Sequence, residues 1–308
     1  MTDPAAPLAD CGAPDTGRAI WLNAADGTRL RMAHWPGERH VMILPGRTEY
    51  IEKYGLVISD LAAAGWGAVV IDWRGQGLSD RLAPDPLMGH VDRFSDFQID
   101  LDTALEAADR FAPGPKPWLV HSMGGCIGLR GLTRGKRPPA IAFSAPMLGL
   151  NQATALTNML RGLSALLRPF GLDKGYAPTT GPEFGLPGMR FDDNNLTTDR
   201  AQFDRMKGQI STLVGMSLGG PSLRWMGEAG AEMAALAAMS SPEVPAFFGL
   251  GCDEAIVSPH AIRTRASQWP SATLQEYPDA KHELTMERED VRRDFLTRML
   301  ALFDQETR

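Results

Sequence analysis

The sequence has few cysteines, no excess of positive charge and no long run of apolar residues. Its three cysteines cannot build a disulfide framework, because one of them would always remain unpaired. The formal net charge of −6 argues against general electrostatic attraction to nucleic acid. No stretch approaches the roughly 18 consecutive apolar residues that indicate a transmembrane helix, and the first residues lack the basic start and apolar run of a secretory signal. We therefore expect a cytoplasmic protein that does not bind nucleic acid.

The 308 residues could form one large domain or two ordinary ones, and the patterning favours one α/β domain with an insertion. Residues 1–17 have little to bury and predict a loose N-terminal arm. Residues 18–147 alternate short apolar runs with helix-like stretches, and this alternation returns in residues 241–308. Such a pattern predicts a mostly parallel sheet with helices on both faces. Between these parts, residues 148–240 contain apolar helical patches separated by Gly- and Pro-containing loops, which predicts an inserted helical segment.

One segment has the pattern of a nucleophile elbow, the sharp turn that lifts a catalytic serine above a sheet edge. Trp118–Gly125 reads Trp-Leu-Val-His-Ser-Met-Gly-Gly, a short apolar run followed by small residues. The turn is crowded, so small residues are favoured two positions before and after Ser122. Gly124 fits this requirement, whereas Val120 does not. The alternative is an ordinary strand-to-helix turn in which Ser122 is only the N-cap.

A serine nucleophile needs a base to remove its proton and an acid to orient that base. In this type of fold the acid and then the histidine follow the serine along the chain. Asp253 and His282 each follow an apolar run with strand character, so both fall at the sheet edge where reactive groups collect. Glu254 is the rival acid, but we expect it to point outward, and His260 is expected to be structural. The predicted triad is Ser122, His282 and Asp253.

Acyl transfer also requires N–H donors for the oxyanion. The backbone N–H of Met123 is one candidate, and the loop Pro45–Tyr50 provides the second, where Gly46 would let the chain present the N–H of Arg47. Arg47 could instead be an ordinary surface residue. The segment Ile71–Asp80 lacks the third glycine of a dinucleotide-binding signature, so we expect it to brace the active-site edge. No histidine spacing of the metal-binding type occurs, and we expect neither a cofactor nor a metal.

These motifs together resemble the α/β-hydrolase superfamily, and more narrowly its lysophospholipase and monoacylglycerol lipase branch. The resemblance covers most of the chain outside the insertion. It departs from the family pattern at Pro45, where the family usually has His, and at Val120, where it usually has Gly. The segments that carry it are Pro45–Glu49, Asp72–Ser79, Gly89–Phe94, His121–Gly125 and Gly251–Glu254.

The resemblance implies a helical cap over Ser122, formed by residues 148–240. It also implies a serine ester hydrolase that acts on a single-acyl lipid, a lysophospholipid or a monoacylglycerol, through an acyl-enzyme and without a cofactor. The alternatives are an acyltransferase, an aminopeptidase-like enzyme in which Glu183 or Glu228 holds the substrate's amino terminus, and a non-catalytic ligand receptor on the same fold. The oligomeric state stays open.

The patch Leu156–Phe170 suggests transient contact between the cap and a membrane or micelle. It combines apolar residues with Arg161 and Arg168, and amphipathic basic segments of this kind can lie on lipid surfaces. The protein would then be cytoplasmic and peripheral to the membrane. An ordinary cap helix is the alternative interpretation.

Overall fold

The centre of the protein is one mixed sheet, seen in a computed structural model that describes residues 8, 9, 11–152, 154–213 and 215–308. In this part of the chain the sheet has eight strands in the order β1-β2-β4-β3-β5-β6-β7-β8. Strand β2 is antiparallel to both β1 and β4, and the other neighbours are parallel. The strands are β1 Arg18–Asn23, β2 Arg29–Trp35, β3 Arg39–Leu44, β4 Trp66–Asp72, β5 Trp118–His121, β6 Ile141–Ser144, β7 Ala246–Gly251 and β8 Ala272–Tyr277.

Helices cover both faces of this sheet. All seven residues of β4 are buried, with Val69 and Ile71 in one apolar cluster and Ala68 and Val70 in another. Helices α2 and α3 pack in the first cluster and α1 and α8 in the second, so the predicted α/β class is confirmed. The helices are α1 Gly55–Ala63, α2 Asp96–Phe111, α3 Met123–Thr133, α4 Thr154–Leu167, α5 Arg200–Thr212, α6 Leu223–Ala237, α7 Pro259–Ser267 and α8 Glu289–Glu306.

The N-terminal segment packs on the domain, so the expectation of a loose arm is wrong for residues 11–17. The Trp35 Nε1–H donates to the Pro14 carbonyl over 3.0 Å. Cys11 is buried, and its carbonyl accepts a hydrogen bond from Arg205 on α5. A side chain at Gly17 would collide with the Trp35 ring. The segment is held by backbone carbonyls and one glycine, which composition does not reveal. Residues 1–7 and 10 of the predicted arm lie outside the described residues.

The inserted segment lies between β6 and β7 and contains α4, α5 and α6. It is tied to the domain by the segment Gly89–Phe94, one of the motifs quoted above. The Gly89 N–H donates to the Gly220 carbonyl over 3.0 Å, and the Gly89 carbonyl accepts the N–H of Ser222 over 2.8 Å. Arg224 forms an ion pair with Asp92 at 2.6 Å. The motif therefore fixes the start of α6 to the domain. No helix in the described ranges has both the length and the apolar character needed to cross a bilayer.

Candidate active site

Ser122 lies at a strained turn between β5 and α3. Its backbone has φ 47° and ψ −116°, a conformation that costs a non-glycine residue on the order of 1–3 kcal/mol. The surrounding backbone holds this turn, since the Ser122 N–H donates to the Ser144 carbonyl over 3.1 Å and its carbonyl accepts the Met147 N–H over 2.8 Å. The Ser122 side chain makes no capping bond to α3. The turn therefore has elbow geometry, and the alternative of an ordinary N-cap is wrong.

Two glycines of α3 make room for the elbow. A Cβ on Gly124 would lie 2.0 Å from the carbonyl oxygen of Leu44, so only glycine fits where the helix meets the end of β3. A Cβ on Gly128 would lie 3.2 Å from the Cγ1 of Val120. The branched side chain of Val120 thus occupies space that Gly128 leaves open, which explains how this departure from the family pattern is accommodated.

The acid partner of His282 is Glu254, and the prediction of Asp253 is wrong. His282 Nδ1 lies 2.6 Å from Glu254 Oε2, and both side chains are buried. The side chain of Asp253 is exposed, although its backbone N–H donates to the Ala280 carbonyl over 2.9 Å. The structure therefore brings His282 together with a glutamate and leaves the aspartate in solvent.

The turn after β7 explains why Glu254, rather than Asp253, contacts His282. The second carboxylate oxygen of Glu254 accepts the N–H groups of Ile256 and Val257 over 2.6 and 3.0 Å. These bonds fold the carboxylate back toward the domain rather than outward. A signal was present in the sequence: Ile256 and Val257 are apolar, so the chain must turn inward directly after Glu254.

The imidazole of His282 lies beside His121, the residue that precedes Ser122. Its ring centroid is 4.7 Å from that of His121. Within the described residues Ser122 Oγ and His282 form no hydrogen bond, and this contact is commonly loose in enzymes without substrate. Burial alone would lower the pKa of His282, but the Glu254 carboxylate, followed by those of Glu283 and Glu49, raises it above its ordinary value.

A buried charge cluster, formed by Glu49, Lys53, His121 and Glu283, lies beside His282. The Lys53 ammonium contacts a carboxylate oxygen of Glu49 and one of Glu283, each at 2.5 Å. His121 Nε2 is 3.8 and 3.6 Å from the same two side chains. Burial works to raise the pKa of Glu49, yet Lys53 and His121 lower it to about 2.

The same cluster has the residue types of a cation site. Ligand atoms of Glu49, His121 and Glu283 lie within 4.8 Å of one another. The Lys53 ammonium already bridges the two carboxylates, however, so the protein supplies its own positive charge there. This cluster was not predicted from the sequence. Its available signals were the spacing of Glu49 and Lys53 and the position of Glu283 next to His282.

The loop predicted to provide an oxyanion donor lies against Ser122. A Cβ on Gly46 would be 3.1 Å from the Cβ of Ser122. The carbonyls of Pro45 and Gly46 accept hydrogen bonds from Trp73 Nε1 and Gln76 Nε2 over 2.8 and 2.7 Å. The segment Ile71–Asp80, which lacks the full dinucleotide-binding signature, thus braces this loop, as expected.

The predicted donors themselves are the backbone N–H groups of Arg47 and Met123. Arg47 follows Gly46 directly, and Met123 is the first residue of α3, where N–H groups have no partner within the helix. In the part of the chain that the structure describes, the Arg47 N–H donates to no acceptor. The assignment of both as oxyanion donors stays a prediction.

The sheet order, the inserted helices and the elbow define an α/β-hydrolase fold. A crystal structure of a soluble variant of monoglyceride lipase from Saccharomyces cerevisiae has the same fold, with a TM-score of 0.74, 20% identity and 99% of each chain covered. The chain belongs to the serine aminopeptidase S33 family, whose sequence pattern matches residues 36–289.

Two bacterial relatives are similar to this chain in sequence. Lysophospholipase L2 of Escherichia coli is 35% identical over 204 residues, which cover 65% of this chain and 58% of the relative. The match thus spans less than two thirds of that protein. Probable lysophospholipase L2 of Haemophilus influenzae is 26% identical over 267 residues, or 84% of this chain and 82% of the relative. The resemblance noted from the motifs is confirmed at the level of the family.

Proposed function

We propose that this protein hydrolyses carboxylic esters of single-acyl lipids, lysophospholipids or monoacylglycerols. The observation that carries the proposal is the 2.6 Å contact between His282 and Glu254, at the sheet edge where Ser122 stands on its strained elbow. A nucleophile, a base and an orienting acid in this order form the catalytic unit of serine acyl transfer. The names of the bacterial relatives support a lipid substrate.

In the proposed mechanism, the Ser122 oxygen attacks the ester carbonyl while its proton passes to Nε2 of His282. The Glu254 carboxylate accepts the Nδ1–H, which fixes the tautomer that leaves Nε2 free to accept a proton. The N–H groups of Arg47 and Met123 stabilise the oxyanion of the tetrahedral intermediate. His282 then protonates the leaving alcohol, and water repeats the sequence to release the fatty acid.

The side chains that would suit an aminopeptidase are poorly placed for that role. Glu228 accepts hydrogen bonds from Arg168 and from the Phe94 N–H, so its charge is already matched. Glu183 is exposed. Neither offers a buried, unpaired carboxylate for a substrate ammonium group, which favours an ester without a free amino terminus.

The cap carries exposed apolar side chains that suit contact with a lipid surface. On and just after α4, Leu166 is 68% exposed, Phe170 74% and Leu172 65%. Apolar side chains this exposed are costly in water and are typical of interaction surfaces. Arg168 is paired with Glu228, so this contact depends mainly on the apolar side chains. It would deliver single-acyl lipids from a membrane or micelle.

The test combines a serine-directed fluorophosphonate probe with a substrate panel. We expect wild-type protein to be labelled and to hydrolyse a lysophospholipid or a monoacylglycerol but not an aminoacyl amide. Ser122→Ala should abolish labelling and turnover, whereas Ser267→Ala, which changes an exposed serine at the end of α7, should alter neither. An unlabelled wild-type protein would support a non-catalytic receptor, and retained turnover in the Ser122 variant would refute the nucleophile.

A further inference from the structure

The side chain of Arg47 extends from the oxyanion loop to the cap. Its Nη2 donates to the Gly219 carbonyl over 2.6 Å, and its guanidinium carbon lies 5.2 Å from the centre of a Trp225 ring. A Cβ on Gly89 would be 2.4 Å from Nη2, so a glycine makes room for the guanidinium. The Nε–H is buried and has no acceptor among the described residues.

This guanidinium has no carboxylate partner in the described part of the chain. By contrast, Arg31 pairs with Glu52 and Arg74 with Asp100, and buried Arg265, which also lacks a carboxylate, donates to two carbonyls and a hydroxyl instead. Arg47 is half-buried, and its Nε–H is shielded from water without an acceptor among the described residues, which is costly for a cation that lacks a counter-ion. Beside the loop that adjoins Ser122, such a group is suited to bind an anion.

Tyr176 is the ionisable group that acts on the pKa of Arg47, and it does not neutralise the guanidinium. Burial together with Asp85 raises the pKa of the Tyr176 hydroxyl to about 12. Burial lowers the pKa of Arg47 to about 10. At neutral pH the arginine is charged and the tyrosine is not, so the positive charge remains unmatched.

The position of Arg47 places its charge at a suitable distance from a lipid ester bound at Ser122. Gly46 adjoins Ser122, and the next residue sends its side chain from the nucleophile toward Trp225 on the cap. In a single-acyl phospholipid, the phosphorus is separated from the scissile acyl carbon by about as many bonds as the guanidinium is from the arginine Cα. We propose that Arg47 forms an anion subsite that binds the headgroup phosphate of a single-acyl phospholipid. The inference rests on the proposed ester hydrolysis and deepens it.

The chemistry of the two headgroups makes the subsite selective. A guanidinium can donate two hydrogen bonds to a phosphate and neutralise its charge. The glycerol of a monoacylglycerol is neutral and gains little from the same group. Arg47 should therefore favour the phospholipid over the neutral lipid.

The test compares Arg47→Gln with Arg81→Gln. Arg81 also lacks an acidic partner within the described residues, and it donates to the carbonyl of Gly215 in the same inserted segment. It thus controls for the loss of an arginine that anchors the cap. With lysophosphatidylcholine and monoacylglycerol of equal chain length, R47Q should lower kcat/KM for the phospholipid roughly 10- to 100-fold, the effect of a lost charge-assisted hydrogen bond.

The deciding quantity for R47Q is the ratio of kcat/KM for the phospholipid to kcat/KM for monoacylglycerol, because any disturbance of the oxyanion loop affects both substrates alike. R47Q should lower this ratio roughly 10-fold or more, whereas R81Q should leave kcat/KM for both substrates within about threefold of wild type. R47K should restore part of the phospholipid activity because it retains the charge. An equal loss on both lipids, or the same loss in R81Q, would overturn the subsite.

A binding measurement separates failure of the subsite from failure of the proposed hydrolysis. Titration of S122A with monomeric dodecylphosphocholine and with 1-O-dodecylglycerol requires no turnover. The additional R47Q change should weaken only the phosphocholine ligand. If wild-type protein hydrolyses neither lipid, the proposed function fails, and this titration still decides the inference, because equal weakening of both ligands or of neither refutes it.

Discussion

Replacing Glu254 and Asp253 separately is the sharpest test of the site. Glu254 is buried, and its carboxylate contacts His282 at 2.6 Å. Asp253 is exposed and contributes only its backbone N–H to the turn. Glu254→Gln should therefore remove the charge that stabilises the imidazolium, while Asp253→Asn should leave His282 untouched.

The expected magnitude follows from the state that the carboxylate stabilises. In the proposed mechanism His282 becomes positively charged in the transition state, where a charged, buried acceptor matters most. Loss of the orienting carboxylate in a serine triad costs about 10⁴-fold in kcat. Since each tenfold change corresponds to about 1.4 kcal/mol, this is about 5.5 kcal/mol of transition-state stabilisation. We expect a loss of roughly 10³- to 10⁴-fold for E254Q and less than about twofold for D253N.

The assay is steady-state hydrolysis of a short-chain p-nitrophenyl ester, with thermal unfolding as the control for folding. Glu254→Asp adds an intermediate case, because the shorter side chain retains the charge but retracts it from His282. The assignment would be refuted if D253N lost as much activity as E254Q, or if E254Q remained within tenfold of wild type.

Three further predictions concern the packing and charge around the nucleophile. Gly124→Ala should destabilise the fold by about 3 kcal/mol or more, because its Cβ would overlap the Leu44 carbonyl; urea unfolding that differs by less than 1 kcal/mol, roughly the size of a surface substitution, would contradict this. Glu283→Gln should move the acidic limb of the kcat/KM profile to lower pH. The reason is that Glu283 raises the pKa of His282 and only neutral His282 can accept the serine proton; an unmoved limb, or one moved to higher pH, would count against it. Lys53→Met should cost about 3–5 kcal/mol in unfolding free energy, since it leaves two buried carboxylates without their cation, and a variant as stable as wild type would show that the cluster does not need it.

The regular part of the fold was predictable because its elements are short apolar runs and helix-like stretches with a clear period. The alternation in residues 18–147 and 241–308 predicted a mostly parallel sheet, which the structure contains, and the pattern around Ser122 predicted the turn between β5 and α3. Strand and helix periods are set by local geometry, so a sequence reveals them directly.

The choice between Asp253 and Glu254 was not predictable in the same way. Both carboxylates follow the same strand, and the outcome depends on two backbone N–H groups that close the turn around Glu254. Hydrogen bonds inside an irregular loop have no periodic signature. The packing of residues 11–17 was missed for a related reason, since Pro14 contributes only its carbonyl.

The charges around the nucleophile are arranged on two sides with different roles. Beside His282, the buried charge cluster contains more carboxylates than ammonium groups, and its negative charge helps to raise the pKa of the base. Toward the cap, Arg47 presents an unmatched positive charge. A chain of net charge −6 does not attract a phosphate from a distance. The selection of a phosphate that we propose for Arg47 would therefore act only at contact range, once the lipid is already bound.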